Sequence, residues 1–399
     1  MGKTVAMVIL AVFVLSVKAQ WVQTSGPGVG RIAALCAKDS SIFAGTLYDG
    51  IFLSTNNGTS WTAVSSGLAS PFIHSLAMNG INIFAGTDSG VFRYMDSETS
   101  WMAFNAGIQN RIVTTFAITG NNIFAGTDSG VFRSTDNGAN WTAASSGITE
   151  LLIYSLAAIG NAIFAGTHSR GIFRSTDSGS NWYPVNSGLP NQEIWSIAAI
   201  GTNLFAGSWG DGVYVSANNG TSWTRINSGL TDWSVQALTA FGDTIFAGTW
   251  RGGVFMSTDS GGHWTAINSG LTNLDIRVLV ISGGNIFAGT YGSGVWRCPL
   301  SDFAGITDNP ARQSSDPHTF KVFYSHPKAS IAYSLSRRER VSFIIYNLSG
   351  HPILSLADKQ FEPGPNSLSW DTRSFSPGCY VVKMQTGTNN CAEEITVTR

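Results

Sequence analysis

The chain has 399 residues, only 12% of them charged, and a formal net charge of −1. That balance provides no broad basic field, so neither nucleic acid nor an anionic membrane surface is an expected partner. The 45 glycines, 12% aromatics and 13 tryptophans point instead to a turn-rich, apolar β protein.

Residues 1–19 read as an export signal peptide. Lys3 is the charged end, Val5 to Val17 a short apolar run, and Val17-Lys18-Ala19 a small-residue cleavage site before Gln20. The run is too short to span a bilayer comfortably, and no later segment approaches that length. The mature chain is therefore expected to have no membrane span and to be secreted or held at the outer cell surface.

Residues 20–300 repeat one pattern. Phe-Ala-Gly followed by Thr or Ser begins at Phe43, Phe84, Phe124, Phe164, Phe205, Phe246 and Phe287, in steps of 40 or 41. A second phrase, "STDNGANW" from Ser134, has close copies and one worn copy, ending at Trp61, Trp101, Trp141, Trp182, Trp223 and Trp264. In the fourth unit, Ile153 to Ile159 reads as a strand and Gly160-Asn161 as a tight turn. Ala162 to Thr167, Gly171 to Thr176 and Trp182 to Asn186 read as three more strands. The first two are apolar at nearly every position, so both of their faces are buried. Four short strands per unit, repeated seven times, predict an all-β, seven-bladed β-propeller whose blades pack on one another.

The two ends of the repeat are complementary. In the seventh unit Cys298 stands where other units have the serine that opens the phrase, and Pro299 and Leu300 follow without a fourth strand. At the N-terminal end, "WVQTSG" from Trp21 aligns with "WTAVSSG" from Trp61. The N-terminal segment is thus expected to be the outer strand of the last blade, closing the ring and leaving no free sheet edge.

The phrase Ser-x-Asp-x-Gly-x-x-Trp identifies the chain as resembling the Asp-box, or BNR-repeat, propellers. Those include sialidases, sortilin-type receptors, seven-bladed xyloglucan hydrolases and photosystem II assembly factors. The resemblance spans all seven units and implies the fold, but it says almost nothing of function, because enzymes and binders share the box. Asp136, Asp177 and Asp259 fill the Asp position, and Asn57 and Asn218 are taken to replace it. The worn copy keeps Asp96 and Trp101 but lacks the glycine. A structural role is expected for these boxes. The carboxylate or amide accepts backbone N–H groups, glycine supplies a positive φ, and each tryptophan wedges about 150–250 Å² between blades.

Cys36, Cys298, Cys379 and Cys391 form no CxxC pair and no metal-ligand spacing, so no metal or cofactor is expected. Export permits disulfides. Cys36 aligns with small apolar residues on an inner strand, and Cys298 lies on a strand two places away, too far for a bond. Cys391 is expected opposite Met384 rather than opposite Cys379, which counts against a bond there as well. Three Asn-x-Thr sequons, at Asn57, Asn140 and Asn219, fall inside boxes, whose turn chemistry accounts for them.

Residues 301–318 read as a linker. Residues 319–399 contain seven short alternating stretches, the pattern of a small Ig-like β-sandwich. "SIAYSL", "IIYNLSGHPILSL", "LSWD" and "SPGCYVVKMQTG" resemble the C-terminal sorting domain of type IX secretion cargo. Glu393-Glu394 depart from that family, which has basic residues there. The resemblance implies the type IX machinery as a partner and an address at the outer surface; the alternative is an ordinary adhesion or stalk module.

One column of the repeat varies where its neighbours do not. Ten residues before each Phe stand Ala33, His74, Thr114, Tyr154, Trp195, Gln236 and Arg277, and the residue before each is always Ile or Val. The turns after the second strands carry Tyr48 and Asp49, His168 and Arg170, Trp209 and Asp211, Trp250 and Arg251, and Tyr291. Trp233 and Glu193 sit just ahead of inner strands. From blades four to seven this gives a candidate ligand-binding set: Tyr154, His168, Arg170, Trp195 and Trp209, with Trp233, Trp250, Arg251, Arg277 and Tyr291. Aromatics interleaved with polar groups on one face fit binding of a glycan or a protein without catalysis. The rival is a glycoside hydrolase, for which Asp211, Glu193, Asp232 and Asp49 would supply a carboxylate pair about 5–9.5 Å apart. A third reading is a structural spacer with no ligand. No nucleophile elbow, phosphate loop or HExxH motif occurs.

Overall fold

The structure is a computed structural model that describes residues 20–27, 30–38, 40–95, 100–108, 111–190, 192–303, 320–325, 328–335, 337–347, 352–376, 378–386 and 390–397. The export-signal reading, most of the linker reading and Asp96 lie outside those residues. The chain divides into two compact units, Met1–Asp308 and Asn309–Arg399.

The described residues of the first unit form seven four-stranded antiparallel sheets. Blade four runs outward through Ile153–Ile159, Ala162–Thr167, Ile172–Ser175 and Tyr183–Pro184. Its inner two strands coincide with the sequence pattern; its outer two are shorter. The reason is Trp182, which leaves its own ladder for the neighbouring blade. Its backbone N–H donates to the Ser146 carbonyl and its indole N–H to the Ala144 carbonyl, both at 2.8 Å. Trp101, Trp141, Trp223 and Trp264 make the same pair of bonds to the blade before them. Five of the box tryptophans are therefore buried rivets across blade seams. Trp61 is half-buried and donates to the Thr24 hydroxyl instead.

The ring closes as the sequence predicts. Val22–Gln23 joins blade seven as its outer strand, with Val22 opposite Arg297 and Gln23 opposite Trp296. Trp21 acts as the sixth rivet: its backbone N–H donates to Ser269 and its indole to Ile267 at 2.6 Å. Where blades one, three, four, five and six make a box, blade seven runs into the short 3-10 turn Leu300–Phe303. The glycine of each Phe-Ala-Gly phrase makes room for the next blade. A Cβ on Gly126 would stand 2.7 Å from Ile153 Cγ2, and one on Gly289 would stand 2.5 Å from Ile32 Cγ2 across the closing seam. The Ile or Val that precedes the variable column packs over this glycine at each seam.

The boxes are hydrogen-bonded turns. Ser134 Oγ donates to Asp136 Oδ1 and accepts from the Gly138 amide, each at 2.8 Å. Asp136 then accepts from the Asn140 backbone at 2.9 Å and from its side-chain amide at 2.8 Å. The bonds from Asn140 and then Ser134 hold the Asp136 carboxyl down at about 2, and Asp177 is held at about 2 by the same arrangement. Gly138 has φ 83°, a left-handed conformation that a side chain would strain. The first box corrects the sequence reading. Its acceptor is Asn56, whose Oδ1 receives Ser54 Oγ at 3.0 Å and the Ser60 amide at 2.9 Å. Asn57 is the next residue, at φ 54°; counting two places from Ser54 gives the right position.

Cys36 lies opposite Phe43 on the inner pair of blade one and Cys298 opposite Ile286 in blade seven. Both are buried free thiols, pushed up to about 12 chiefly by burial. Among the described residues, the second unit has seven strands in a three-stranded and a four-stranded sheet. Its core includes Ile331, Val341, Phe343, Ile345, Val382 and Met384. Cys391 lies opposite Met384 and Cys379 opposite Thr396, the register expected from the sequence.

Candidate functional site

The variable column is a structural feature in its own right. In all seven blades the innermost strand carries a β-bulge, and the bulged residue is the variable one. The ladder skips from Ile32 to Ala34, Ile73 to Ser75, Val113 to Thr115 and Ile153 to Ser155. It skips likewise from Ile194 to Ser196, Val235 to Ala237 and Ile276 to Val278. A bulge leaves one residue out of the ladder and re-aims its side chain. Here the seven re-aimed side chains surround a cavity of about 260 Å³ near the ring axis, together with Ile32, Leu47 and Tyr291.

Blades four to six form an aromatic wall. Tyr154 and Trp195 have ring centroids 5.0 Å apart, and Trp195 stacks on Trp209 at 5.1 Å with 24° between planes. Trp209 lies 4.3 Å from Trp250. His168 meets Tyr154 edge-on at 5.4 Å, and the Arg251 guanidinium lies 4.6 Å from the Trp250 ring centre. Only Trp195 and Trp209 stack face to face; the other ring contacts are tilted or edge-on. Burial, and then the charges of Glu193 and Glu150, push the Tyr154 hydroxyl up. Glu150 is held low mainly by the Ser169 hydroxyl.

The opposite side, at the seam of blades seven and one, is a guanidinium wall. Arg277 lies 4.4 Å and Arg31 4.2 Å from the centre of the same ring, Tyr291. Asp275 pairs with Arg277 at 2.8 Å. Between the walls, His74 is pushed down chiefly by burial, with Asp88 opposing.

Of the sequence-predicted residues, Tyr154, His168, Trp195, Trp209, Trp250 and Arg251 form one continuous stack, and Arg277 and Tyr291 form part of the facing wall. Trp233 is apart from both: it is exposed, lies under Arg225 at 5.1 Å and donates to the Leu230 carbonyl. Arg170 is exposed in its turn, with its amide on Thr167 Oγ1. Three of the four candidate carboxylates already hold hydrogen bonds within the propeller. Asp211 accepts from the Tyr214 hydroxyl and from Arg225 at 2.8 Å. Asp232 accepts the Arg251, Gly252 and Ser234 amides at 2.6, 2.9 and 3.1 Å. Glu193 accepts the Trp195 indole N–H at 3.0 Å. Asp49 is exposed in the turn of blade one. No group of three or more His, Cys, Asp or Glu able to hold a metal ion occurs among the described residues.

Sequence reasoning missed Arg31, which immediately precedes the Ile32 column; it follows "GPGVG", which has no counterpart in other units. It also passed over the apolar side chains leading into the inner strands. Phe72, Ile112, Leu151 and Leu274 are exposed there, with Tyr48 beside Phe72 at 5.6 Å between ring centres.

No family model and no curated protein matches the sequence. Solved structures do match in fold. The extracellular domain of BT4673 from B. thetaiotaomicron is 17% identical at TM-score 0.61, over 80% of this chain and 45% of that one. YCF48, solved bound to D1 peptide, is 14% identical at TM-score 0.58, over 70% of this chain and 96% of that one. PorZ, a surface component of the type-IX secretion system of Porphyromonas gingivalis, is 16% identical at TM-score 0.55, over 95% of this chain and 61% of that one. The chain spans less than half the length of the BT4673 domain. At these identities the likeness is one of architecture: a seven-bladed β-propeller of a kind found in extracellular and surface proteins.

Proposed function

We propose that this chain is an exported, non-catalytic recognition propeller that binds a peptide segment of a partner protein at the axial cavity. The observation that carries the reading is the ring of seven bulged side chains, one from each blade, around a single cavity. The fold repeats nearly everything else and leaves this position free. The cavity is smaller than the roughly 300 Å³ at which pockets for drug-sized ligands begin. It therefore suits one side chain or one ring of a larger ligand.

A peptide fits better than a glycan for two reasons. Sugars stack on open aromatic faces, and here Trp195 and Trp209 each cover one face of the other. Exposed apolar side chains on the connections around the inner strands suit a protein surface. The likeness to YCF48, solved with a peptide, agrees. Hydrolysis is the weaker reading, because Asp211, Asp232 and Glu193 are already committed to loop contacts. The second unit, read as a type IX sorting domain, would deliver the propeller to the outer surface, in keeping with the PorZ likeness.

The test is selection of a displayed peptide library on the intact protein, followed by titration of the selected peptides against Trp195→Ala and Gln236→Ala. Affinity is expected to fall about tenfold or more for either variant. Selected peptides indifferent to both changes, or a library that yields no binder, contradict the reading. Turnover of a glycan that Asp211→Asn abolishes would restore the hydrolase.

A further inference from the structure

The guanidinium wall specifies the chemistry of the peptide, on the premise just argued that the axial cavity binds one. Arg277 pairs with Asp275: Nη2 donates to Oδ2 at 3.1 Å, and Nε lies 2.8 Å from Oδ1 without hydrogen-bond alignment. That pairing fixes the guanidinium plane over Tyr291 and leaves Nη1 outside it. Arg31 is held differently. Its carbonyl accepts the Leu47 amide at 3.0 Å, and its backbone bridges to Tyr291 across the closing seam. Its Nη1 donates to the Tyr48 hydroxyl at 3.1 Å, and its guanidinium lies over Tyr291 and Tyr48. Among the described residues no carboxylate lies within ion-pairing distance of Arg31, not even Asp49 in the adjoining turn.

The wall therefore holds two guanidinium groups against one carboxylate. The excess positive charge is half-buried beside a cavity, where solvent screens it less than on an open surface. Stacking on rings restrains both planes, which lowers the entropy lost when an anion docks, and the guanidinium fork matches a carboxylate. A neutral peptide would strip water from Arg31 without replacing its hydrogen bonds.

We infer that the bound peptide carries an acidic side chain, Asp or Glu, next to the residue seated in the axial cavity, and that its carboxylate docks on Arg31 and the spare Nη1 of Arg277. The aromatic wall then contacts the seated residue, and the guanidinium wall reads its neighbour.

The experiment uses the full-length protein and a peptide selected on it. Its acidic residue is changed to Asn or Gln, so that no change to the protein's fold can enter. Affinity is expected to fall about tenfold or more. On Arg31→Gln the preference for the acidic over the amide peptide should shrink, Arg277 keeping the remainder, and raising the salt concentration should weaken only the acidic peptide on the unaltered protein. If the amide peptide binds the unaltered protein as tightly as the acidic one, the inference fails, while dependence on Trp195 would leave the peptide reading standing. An oligogalacturonide is titrated in parallel. If it binds with dependence on Arg31 and no selected peptide does, the carboxylate belongs to an acidic glycan and both readings fail.

Discussion

Replacing Trp141 with alanine tests the seam most sharply. The ring is 4% exposed, and its indole N–H reaches the Phe104 carbonyl of the preceding blade at 2.9 Å. A buried tryptophan covers about 150–250 Å²; at ~25 cal/mol per Å² that amounts to about 4–6 kcal/mol. A compact unfolded chain lowers this by roughly 10–40%, to about 3–5 kcal/mol, the range seen for large-to-small core changes. Losing the indole bond adds about 1 kcal/mol. The expected cost is therefore about 4–6 kcal/mol, read as the shift in the urea midpoint of the far-UV circular dichroism transition multiplied by its slope. Trp141→Phe keeps most of the area but not the donor and should cost about 1–2 kcal/mol. Tyr183→Ala, on a residue 65% exposed, is the control and should stay within about 0.5 kcal/mol. A Trp141→Ala cost under about 1 kcal/mol would refute the claim that these indoles hold the blades together.

Three more expectations follow from the same packing. Gly126→Ala places a methyl 2.6 Å from Thr115 Cγ2 and 2.7 Å from Ile153 Cγ2, so it should destabilise by about 1–3 kcal/mol in the same urea titration; a neutral result would mean the blades are not in close contact. The Asp136 carboxyl is held near 2, below its unfolded value of about 3.9. Its contribution to stability should therefore be complete above about pH 5 and disappear as pH falls from about 4 towards 2; an NMR titration midpoint near 4 for Asp136 would contradict the turn geometry. Cys36 and Cys298, pushed up to about 12 and buried, should escape alkylation at pH 8 in the folded protein and react once it is unfolded in urea, as mapped by mass spectrometry; rapid labelling of either in the folded state would show that the site is open.

Much of the fold can be read from the sequence because a repeat compares the chain with itself. The constant Phe-Ala-Gly phrase marks the tight blade seam, and the missing seventh box together with Trp21 marks the closure. The variable column is visible for the same reason. That it coincides with a bulge is not visible, because a bulge is a shift of backbone register that the side-chain pattern does not encode. Ring contact is equally hidden: Trp195 comes from an inner strand and Trp209 and Trp250 from separate turns, and only the closed ring brings them onto one wall. Arg31 is hidden because it follows Gly26-Pro27-Gly28-Val29-Gly30, which has no counterpart in the other units. The carboxylates looked available in the sequence, whereas Asp232 is taken up by three backbone amides, which no spacing rule reports.

The most direct test of the account is a structure of the intact protein with a selected peptide bound. One side chain of the peptide should lie in the axial cavity, touching Tyr154, Trp195, Gln236 and Arg277. A peptide found on the face of the box turns, or on an outer strand away from the axis, would contradict the account.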